Sequence, residues 1–423
     1  MRTIEESAPP APQKDAVRDT YKAGKELSGK TFDIELITPM YGGGAIAGVN
    51  DSAFPIRPLS VRGQLRFWWR ATRGAKFNTA EELFKAEEEI WGSTEKQSGT
   101  VVKVTAPEWA QSRNYIGSKD DNYGFRRFGP ESYVLFPAAA DTSRHNLVKE
   151  GLAFKIEFSF EQRFKADIFC AVWAWSSFGG IGARTRRGCG ALFCKELTPE
   201  KTALDSVARW WQRKIEEYEL QLGVKREWPT LFRILTGPAQ ANSLQAWQES
   251  ISPMKNFRQG VGTGRNKGSR DPRRPGRSFW PEPDTLRRLL KKNNPAHKPD
   301  PNMPDGFPRA AFGLPILFHF AGSRGDPESE IHPKKSTRMS SPLILRPLKT
   351  QGGPDAVPVV IQLQGTKLND LEVKGSSKTL GSEDIANPRF STYRNAPMQK
   401  RSSSGSAIEA FLSYVKEQGF REV

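Results

Sequence analysis

Apolar and polar residues alternate most clearly in two stretches. Phe32, Ile34 and Leu36 alternate with Thr31, Asp33 and Glu35, and Leu152, Phe154, Ile156, Phe158 and Phe160 alternate with Ala153, Lys155, Glu157 and Ser159. A period of two puts the apolar set on one face of a half-buried strand. The first strand is expected to end at Pro39 and Gly42-Gly43-Gly44, residue types that favour turns. Beyond that loop the spacing becomes helical. Ser60 is the expected N-cap of a helix to about residue 72, with Val61, Leu65, Trp68 and Trp69 on one arc. Residues 100–106 predict another strand, 166–178 a buried helix and 191–197 a last strand.

That order is β-α-β-β-α-β, the ferredoxin-like arrangement of many RNA-recognition modules. Insertions fall between its elements, namely an acidic helix around 81–90 and a segment at roughly 107–150. A helix over 204–220, containing Trp210 and Trp211, bridges to a second unit. There, strands are expected at 231–236, 312–320, 342–348 and 357–364, and helices at 243–251, 284–292 and 407–418. This repeats the first pattern with heavier interruption. The expected class is α+β, with two ferredoxin-like (RRM-like) domains carrying large insertions. A flexible extension over 1–30, containing Ala8-Pro9-Pro10-Ala11-Pro12, precedes a first domain over 31–222 and a second over 223–423.

Charge turns this architecture toward a polyanion. The 423 residues carry a net charge of +17, and each Lys or Arg that neutralises a phosphate also releases a condensed counterion. Residues 1–200 hold 28 basic and 25 acidic side chains, so 14 of the 17 surplus charges lie in the rest of the chain. No run approaches the roughly 20 apolar residues of a membrane span, and the first residues lack an apolar signal region. A cytoplasmic protein with no membrane partner is expected. Cys170, Cys189 and Cys194 form no Cys-x-x-Cys pair, so buried or free thiols are expected, with no metal and no cofactor.

Three segments concentrate the candidate chemistry. Between Asp51 and Glu81 there is no acidic residue, and Arg62, Arg66 and Arg70 fall at i, i+4 and i+8 of the expected helix, flanked by Arg57, Arg73 and Lys76. Like charges at that spacing repel by a few tenths of a kcal/mol per pair, so an anion on that face would relieve them. Phe67 or one tryptophan, here Trp68, is the candidate for stacking on a base, the remaining aromatics being core. The second segment, Phe178-Gly179-Gly180-Ile181-Gly182-Ala183-Arg184-Thr185-Arg186-Arg187-Gly188-Cys189-Gly190, combines glycines that admit a phosphate to the backbone with three arginines. The third, 255–277, holds eight basic residues (Lys255, Arg258, Arg265, Lys267, Arg270, Arg273, Arg274, Arg277) against Asp271 alone. Its glycines and prolines predict a mobile loop that orders on binding.

Other chemistries find less support. Gly42 to Ala47 fits the loose dinucleotide pattern Gly-x-Gly-x-x-Ala, yet Asn50, Asp51 and Pro55 follow where a helix should start. His145, His297, His319 and His332 have no visible nucleophile or carboxylate partner. Asp51 is a turn aspartate by default, and the one carboxylate beside the basic window that could hold a metal or activate a ribose hydroxyl.

Ile37-Thr38-Pro39-Met40-Tyr41-Gly42-Gly43-Gly44, then Pro55-Ile56-Arg57 and Ser60-Val61-Arg62-Gly63-Gln64-Leu65-Arg66-Phe67-Trp68-Trp69-Arg70, closely resemble the opening of the first RAMP subunits of Cmr complexes, the type III-B CRISPR effectors. The 179–190 loop resembles the glycine-rich loop of RAMP proteins generally. Arg277-Ser278-Phe279-Trp280-Pro281, Phe312-Gly313-Leu314-Pro315 and Arg338-Met339-Ser340-Ser341-Pro342-Leu343 are similar to later blocks of the same subunit. The resemblance implies two ferredoxin-like RAMP domains and a place near the 3′ end of the guide CRISPR RNA. It also implies help in capturing single-stranded target RNA, with other RAMP subunits as partners. In the family, target cleavage belongs to the repeated backbone subunits, which use an aspartate in a loop after their first strand; Asp51 occupies a comparable place, but its Gly-rich, Pro-Ile-Arg context is that of the first subunit, so catalysis is not carried onto this chain. A non-catalytic RNA-binding subunit is therefore expected, with contacts from Arg57, Arg62, Arg66, Phe67, Trp68, Arg70, Arg184, Arg186, Arg187, Lys255, Arg258, Arg265 and Arg277. Two alternatives remain: a RAMP endoribonuclease that processes guide-RNA precursors with a histidine, and a scaffold whose basic faces meet acidic partner proteins.

Overall fold

A computed structural model describes residues 27–51, 54–105, 133–135, 147–268, 275–320, 325–365, 370–393 and 397–423. The first part of the chain contains β1 (Leu27–Leu36), β2 (Met40–Tyr41), α1 (Pro58–Ala71), α2 (Ala80–Trp91), β3 (Thr100–Thr105), β4 (Leu147–Val148), β5 (Ala153–Glu161), α3 (Lys165–Phe178), β6 (Leu192–Phe193) and α4 (Leu204–Glu217). Strands β3-β5-β1-β6 form one antiparallel sheet in that order. Together with α1 and α3 this is the ferredoxin-like β-α-β-β-α-β unit.

The second part contains β7 (Thr230–Thr236), α5 (Ser243–Gln259), β8 (Arg265–Lys267), β9 (Pro275–Ser278), α6 (Glu282–Leu289), β10 (Ile316–Phe318), β11 (Ser329–Pro333), β12 (Leu343–Lys349), β13 (Ala356–Gln364), β14 (Leu371–Val373), β15 (Thr379–Leu380), α7 (Arg389–Thr392), α8 (Ala407–Glu417) and β16 (Arg421–Glu422). Strands β12-β13-β7-β16 repeat the order of the first sheet, so β7-α5-β12-β13-α8-β16 is a second ferredoxin-like unit. Its insertions build a sheet of their own, β10-β11-β14-β15.

The two sheets share a core. Phe32, Ile34, Phe154 and Ile156 of the first sheet join Trp173 of α3, Trp211 of α4, and Ile234, Ile344, Val359 and Ile361 of the second sheet in one apolar cluster. The opposite face of the second sheet packs Leu235, Leu345 and Val360 against Phe257 of α5 and Phe411 of α8. Burial on both faces explains why β13 reads as a continuous apolar run and not as an alternating one.

Several boundaries differ from the sequence expectation. β1 starts at Leu27, because Leu27–Lys30 pair with Phe158–Glu161 of β5, and backbone pairing needs no apolar alternation. The rest of the expected extension, 1–26, lies outside the described residues. α1 starts at Pro58, not after Ser60, and its N-cap Arg57 makes no side-chain cap. Proline at the first helical position supplies the fixed φ that starts a helix. The expected strand 191–197 is only two residues long before a short 3₁₀ turn at Lys195–Leu197. The segment 312–320 is strand only at Ile316–Phe318.

The basic segment 255–277 is also not one loop. Lys255 and Arg258 lie in α5, which continues through Pro253, while Arg265 and Arg277 lie in the β8–β9 ribbon. Residues 269–274 fall outside the described residues.

Candidate nucleic-acid interface

Two of the three segments singled out in the sequence meet at one place. Ala183 N donates to Tyr41 O at 2.6 Å and Gly190 N to Pro39 O at 2.9 Å, which lays the glycine-rich loop along residues 39–41. The Thr38 hydroxyl donates to Gly188 O at 2.6 Å and accepts from Ala191 N at 2.8 Å. Arg57 donates to Gly43 O, and the Arg186 guanidinium lies 5.8 Å from the Phe67 ring centroid. α1, the 39–44 turn and the 179–190 loop thus share a surface.

The arginine face of α1 is not uncompensated, contrary to the sequence reading. Glu87 of α2, 4% exposed, accepts from Arg66 Nε at 2.5 Å and from Arg70 Nη2 at 3.0 Å. Arg73 Nε is 2.7 Å from Asp167 of α3, and Arg62 donates to Trp91 O. The acids come from other helices, so a local charge count missed them. Arg66 and Arg70 still keep 27% and 39% of their side chains exposed.

Trp68 is 2% exposed and packs on Phe178 at 5.6 Å, so its ring belongs to the core and presents no face for a base. Trp69 is likewise buried, and its Nε1 donates to Asp167 at 2.8 Å. Phe67 is half-buried, edge-on to Trp68 at 5.2 Å and attended by Arg186.

The loop arginines turn toward the second half of the chain. Arg184, held at φ +59°, donates to Val134 O at 2.8 Å. Arg186 donates to Ser341 O, and Arg187 to Leu343 O at 3.0 Å and Phe312 O at 3.2 Å. Arg258 of α5 donates to the Tyr133 hydroxyl at 2.7 Å. These acceptors are neutral. Among the described residues Arg186, Arg187, Arg258 and the exposed Arg338 make no ion pair with a carboxylate, so their charge stands. Burial pushes Arg187 down to about 10, and the neighbouring Arg184, Arg186 and Arg258 push the same way. An anion placed here would offset that mutual repulsion.

Arg346 was not anticipated. It sits on β12 at 0% exposure, donates to Gly179 O at 2.7 Å and Leu192 O at 2.8 Å, and thereby ties both stems of the glycine-rich loop to the second sheet. Desolvation pushes it down to about 9. An arginine inside an apolar strand gave no sequence signal that would separate it from a solvent-facing one.

The remaining candidates scatter. Arg265 donates to Gln259 O at 2.7 Å, and Arg277 to Asp284 and, at 3.2 Å, to Lys298 O. Lys255 has no hydrogen bond or ion pair among the described residues. Two histidines do have carboxylate partners: His297 Nδ1 is 2.6 Å from Asp326 and His319 Nδ1 is 2.9 Å from Glu328. Asp326 is also bound by Arg287 at 2.8 and 3.2 Å, the arrangement of a structural ion-pair hub. His332 lies 3.2 Å from Pro333 O, and His145 is outside the described residues. Asp51 Oδ1 accepts from Phe54 N at 3.1 Å, a local turn contact. Cys170, Cys189 and Cys194 are buried and unbridged. Among the described residues no group of three or more His, Cys, Asp or Glu is placed to hold a metal, and no helix is long and apolar enough to cross a membrane.

Comparison with known proteins defines the class. Residues 33–193 match the RAMP superfamily. The chain is 30% identical over 177 residues to the CRISPR system Cmr subunit Cmr1-2 of Pyrococcus furiosus, covering 38% of this chain and 92% of that protein. It is 29% identical over 164 residues to Cmr1-1 of the same organism, 38% of this chain and 46% of that one. The apo crystal structure of Cmr1 from P. furiosus superposes with a TM-score of 0.50 over 93% of this chain and 98% of that one at 16% identity, which shows a common fold. The chain belongs to the RAMP superfamily and, within it, to the family of Cmr1 subunits.

Proposed function

We propose that this chain is a non-catalytic RNA-binding subunit of a type III-B CRISPR effector, acting in the cytoplasm beside other RAMP subunits. It binds near the 3′ end of the guide RNA and helps capture single-stranded target RNA. The observation that carries this reading is the arginine centre of Arg186, Arg187 and Arg258, whose acceptors are carbonyls and a phenol. Neutral acceptors orient a guanidinium without cancelling its charge, and each guanidinium has five N–H donors, more than these contacts use. The half-exposed Arg62, Arg66 and Arg70 extend the cationic surface along α1, with Phe67 beside it. The division into a first domain over 31–222 and a second over 223–423 is part of the same proposal.

Affinity for single-stranded RNA should fall steeply with salt, with a slope of about −0.7 per phosphate contact. Replacing both Arg62 and Arg66 by Ala is expected to flatten that slope by about two contacts; an unchanged slope removes these side chains from the interface. Glu87→Gln separates their two loyalties. Losing the carboxylate charge while keeping an acceptor should cost about 1–3 kcal/mol of stability, and the released Arg66 and Arg70 should tighten RNA binding and steepen its slope. Weaker binding by a folded variant would show that Glu87 presents the arginines and does not compete with RNA for them. Labelled repeat RNA incubated with the protein should remain intact with or without divalent metal.

A further inference from the structure

A second cationic feature lies along α4, built from residues apart from those of the arginine centre. The loop 198–201 faces this helix and is fixed to the second sheet. The Thr198 hydroxyl donates to Lys349 O at 2.5 Å, Gln351 N to Pro199 O at 3.0 Å, and Gln351 Nε2 to Thr198 O at 3.0 Å. Between loop and helix is a cavity of about 430 Å³ whose lining includes Lys201, Ser206, Arg209, Trp210 and Arg213. Arg209 and Arg213 also line an adjoining hollow of about 330 Å³ with Gln212 and Glu216. Both volumes lie in the range of about 300–1,000 Å³ that small-ligand sites occupy.

Charge decides what such a cavity admits. Of the carboxylates lining the larger space, Glu196 is paired with Lys30 at 2.5 Å and Glu217 with Lys214 at 2.7 Å. That leaves Glu200 against Lys201, Arg209 and Arg213, one acid against three bases. None of those three bases has a hydrogen bond or ion pair among the described residues. Glu216 follows Arg213 by three residues, a spacing that supports helical ion pairs, yet no pair forms. Arg209 and Arg213, one turn apart on an exposed face, repel each other and point two unoccupied forks at one space. A tetrahedral anion fits that arrangement, because guanidinium donors match phosphate oxygens in pairs.

We propose that this cavity binds a phosphate group, free or as part of a nucleotide strand. Isothermal titration of the intact chain with inorganic phosphate, AMP and single-stranded RNA tests it. Each ligand is titrated into the parent chain, Arg209→Ala/Arg213→Ala and Arg209→Lys/Arg213→Lys. Both arginines are exposed, so the variants should fold, which thermal melting verifies. At least tenfold weaker phosphate or AMP binding in the alanine pair, with a smaller loss in the lysine pair, identifies a site for the free group. A tenfold loss confined to RNA identifies a strand contact. Equal affinities of parent and alanine pair for all three ligands overturn the proposal. The Arg62→Ala/Arg66→Ala variant should leave phosphate and AMP affinity untouched, so failure of the RNA reading on α1 and failure of this site give different results.

Discussion

Gly190→Ala is expected to destabilise the protein by about 3–5 kcal/mol and to abolish RNA binding with it. Gly190 has φ +65°, and a Cβ there would collide with the carbonyl oxygen of Ile181. That oxygen cannot retreat freely, since Ile181 N is bound to Gly190 O at 2.9 Å and Gly190 N to Pro39 O at 2.9 Å. The left-handed conformation alone costs a non-glycine residue about 1–2 kcal/mol, and each displaced backbone bond leaves a buried group worth about 1–3 kcal/mol. Gly63→Ala is the matched control. Its Cβ would meet nothing within 4 Å on α1, so helix propensity should stabilise the protein by about 0.5–1 kcal/mol. Urea midpoints at constant m-value check both. A Gly190→Ala loss below about 1 kcal/mol would mean that the loop relaxes freely and is not fixed by its neighbours.

Arg346→Met should cost about 2–5 kcal/mol. Replacing a buried charge by an apolar side chain of similar volume often costs little, because the desolvation penalty disappears with it. Here, however, the acceptors remain. Gly179 O and Leu192 O would lose donors at 2.7 and 2.8 Å in a site with no exposure, and each unsatisfied carbonyl costs about 1–3 kcal/mol. Because those carbonyls are the stems of the 179–190 loop, RNA affinity should fall by more than the loss of one phosphate contact, while the salt slope stays the same. A slope reduced by one contact would instead make Arg346 a direct ligand. Unaltered urea stability would show that the second sheet does not need this tie.

The stability of the loop and the charge of the interface are thus coupled through carbonyls. Arg186 and Arg187 reach from the first unit to Ser341 and Leu343, and Arg346 reaches back to Gly179 and Leu192. Arginines that a sequence reading assigns to RNA alone also fasten the two ferredoxin-like units, and the shared apolar core behind them leaves neither sheet a free inner face.

Alternation and glycine placement made the fold legible. The period-two runs of β1 and β5, the apolar arc of α1, the continuous apolar run of α3 and their order specified a ferredoxin-like unit, because each is a local pattern of burial. The second unit was legible in its longer elements. The two-residue strands β2, β4, β15 and β16 were not, nor was the insertion sheet apart from β10 within the expected strand 312–320, since pairing of so few residues is decided by the partner and leaves no periodicity. The site was legible as composition more than as geometry. Asp51 to Glu81 does lack acids, but Glu87 and Asp167 reach it from other helices; α1 presents arginines, but Trp68 faces inward.

By itself the sequence determined the fold class, the family and the excess of positive charge, for these reside in local periodicity, contiguous motifs and composition. Only the tertiary structure decided which of those charges are already answered. The Arg70–Glu87 pair joins residues 17 apart in the chain and the Arg346–Gly179 bond residues 167 apart, and no local pattern encodes such a contact.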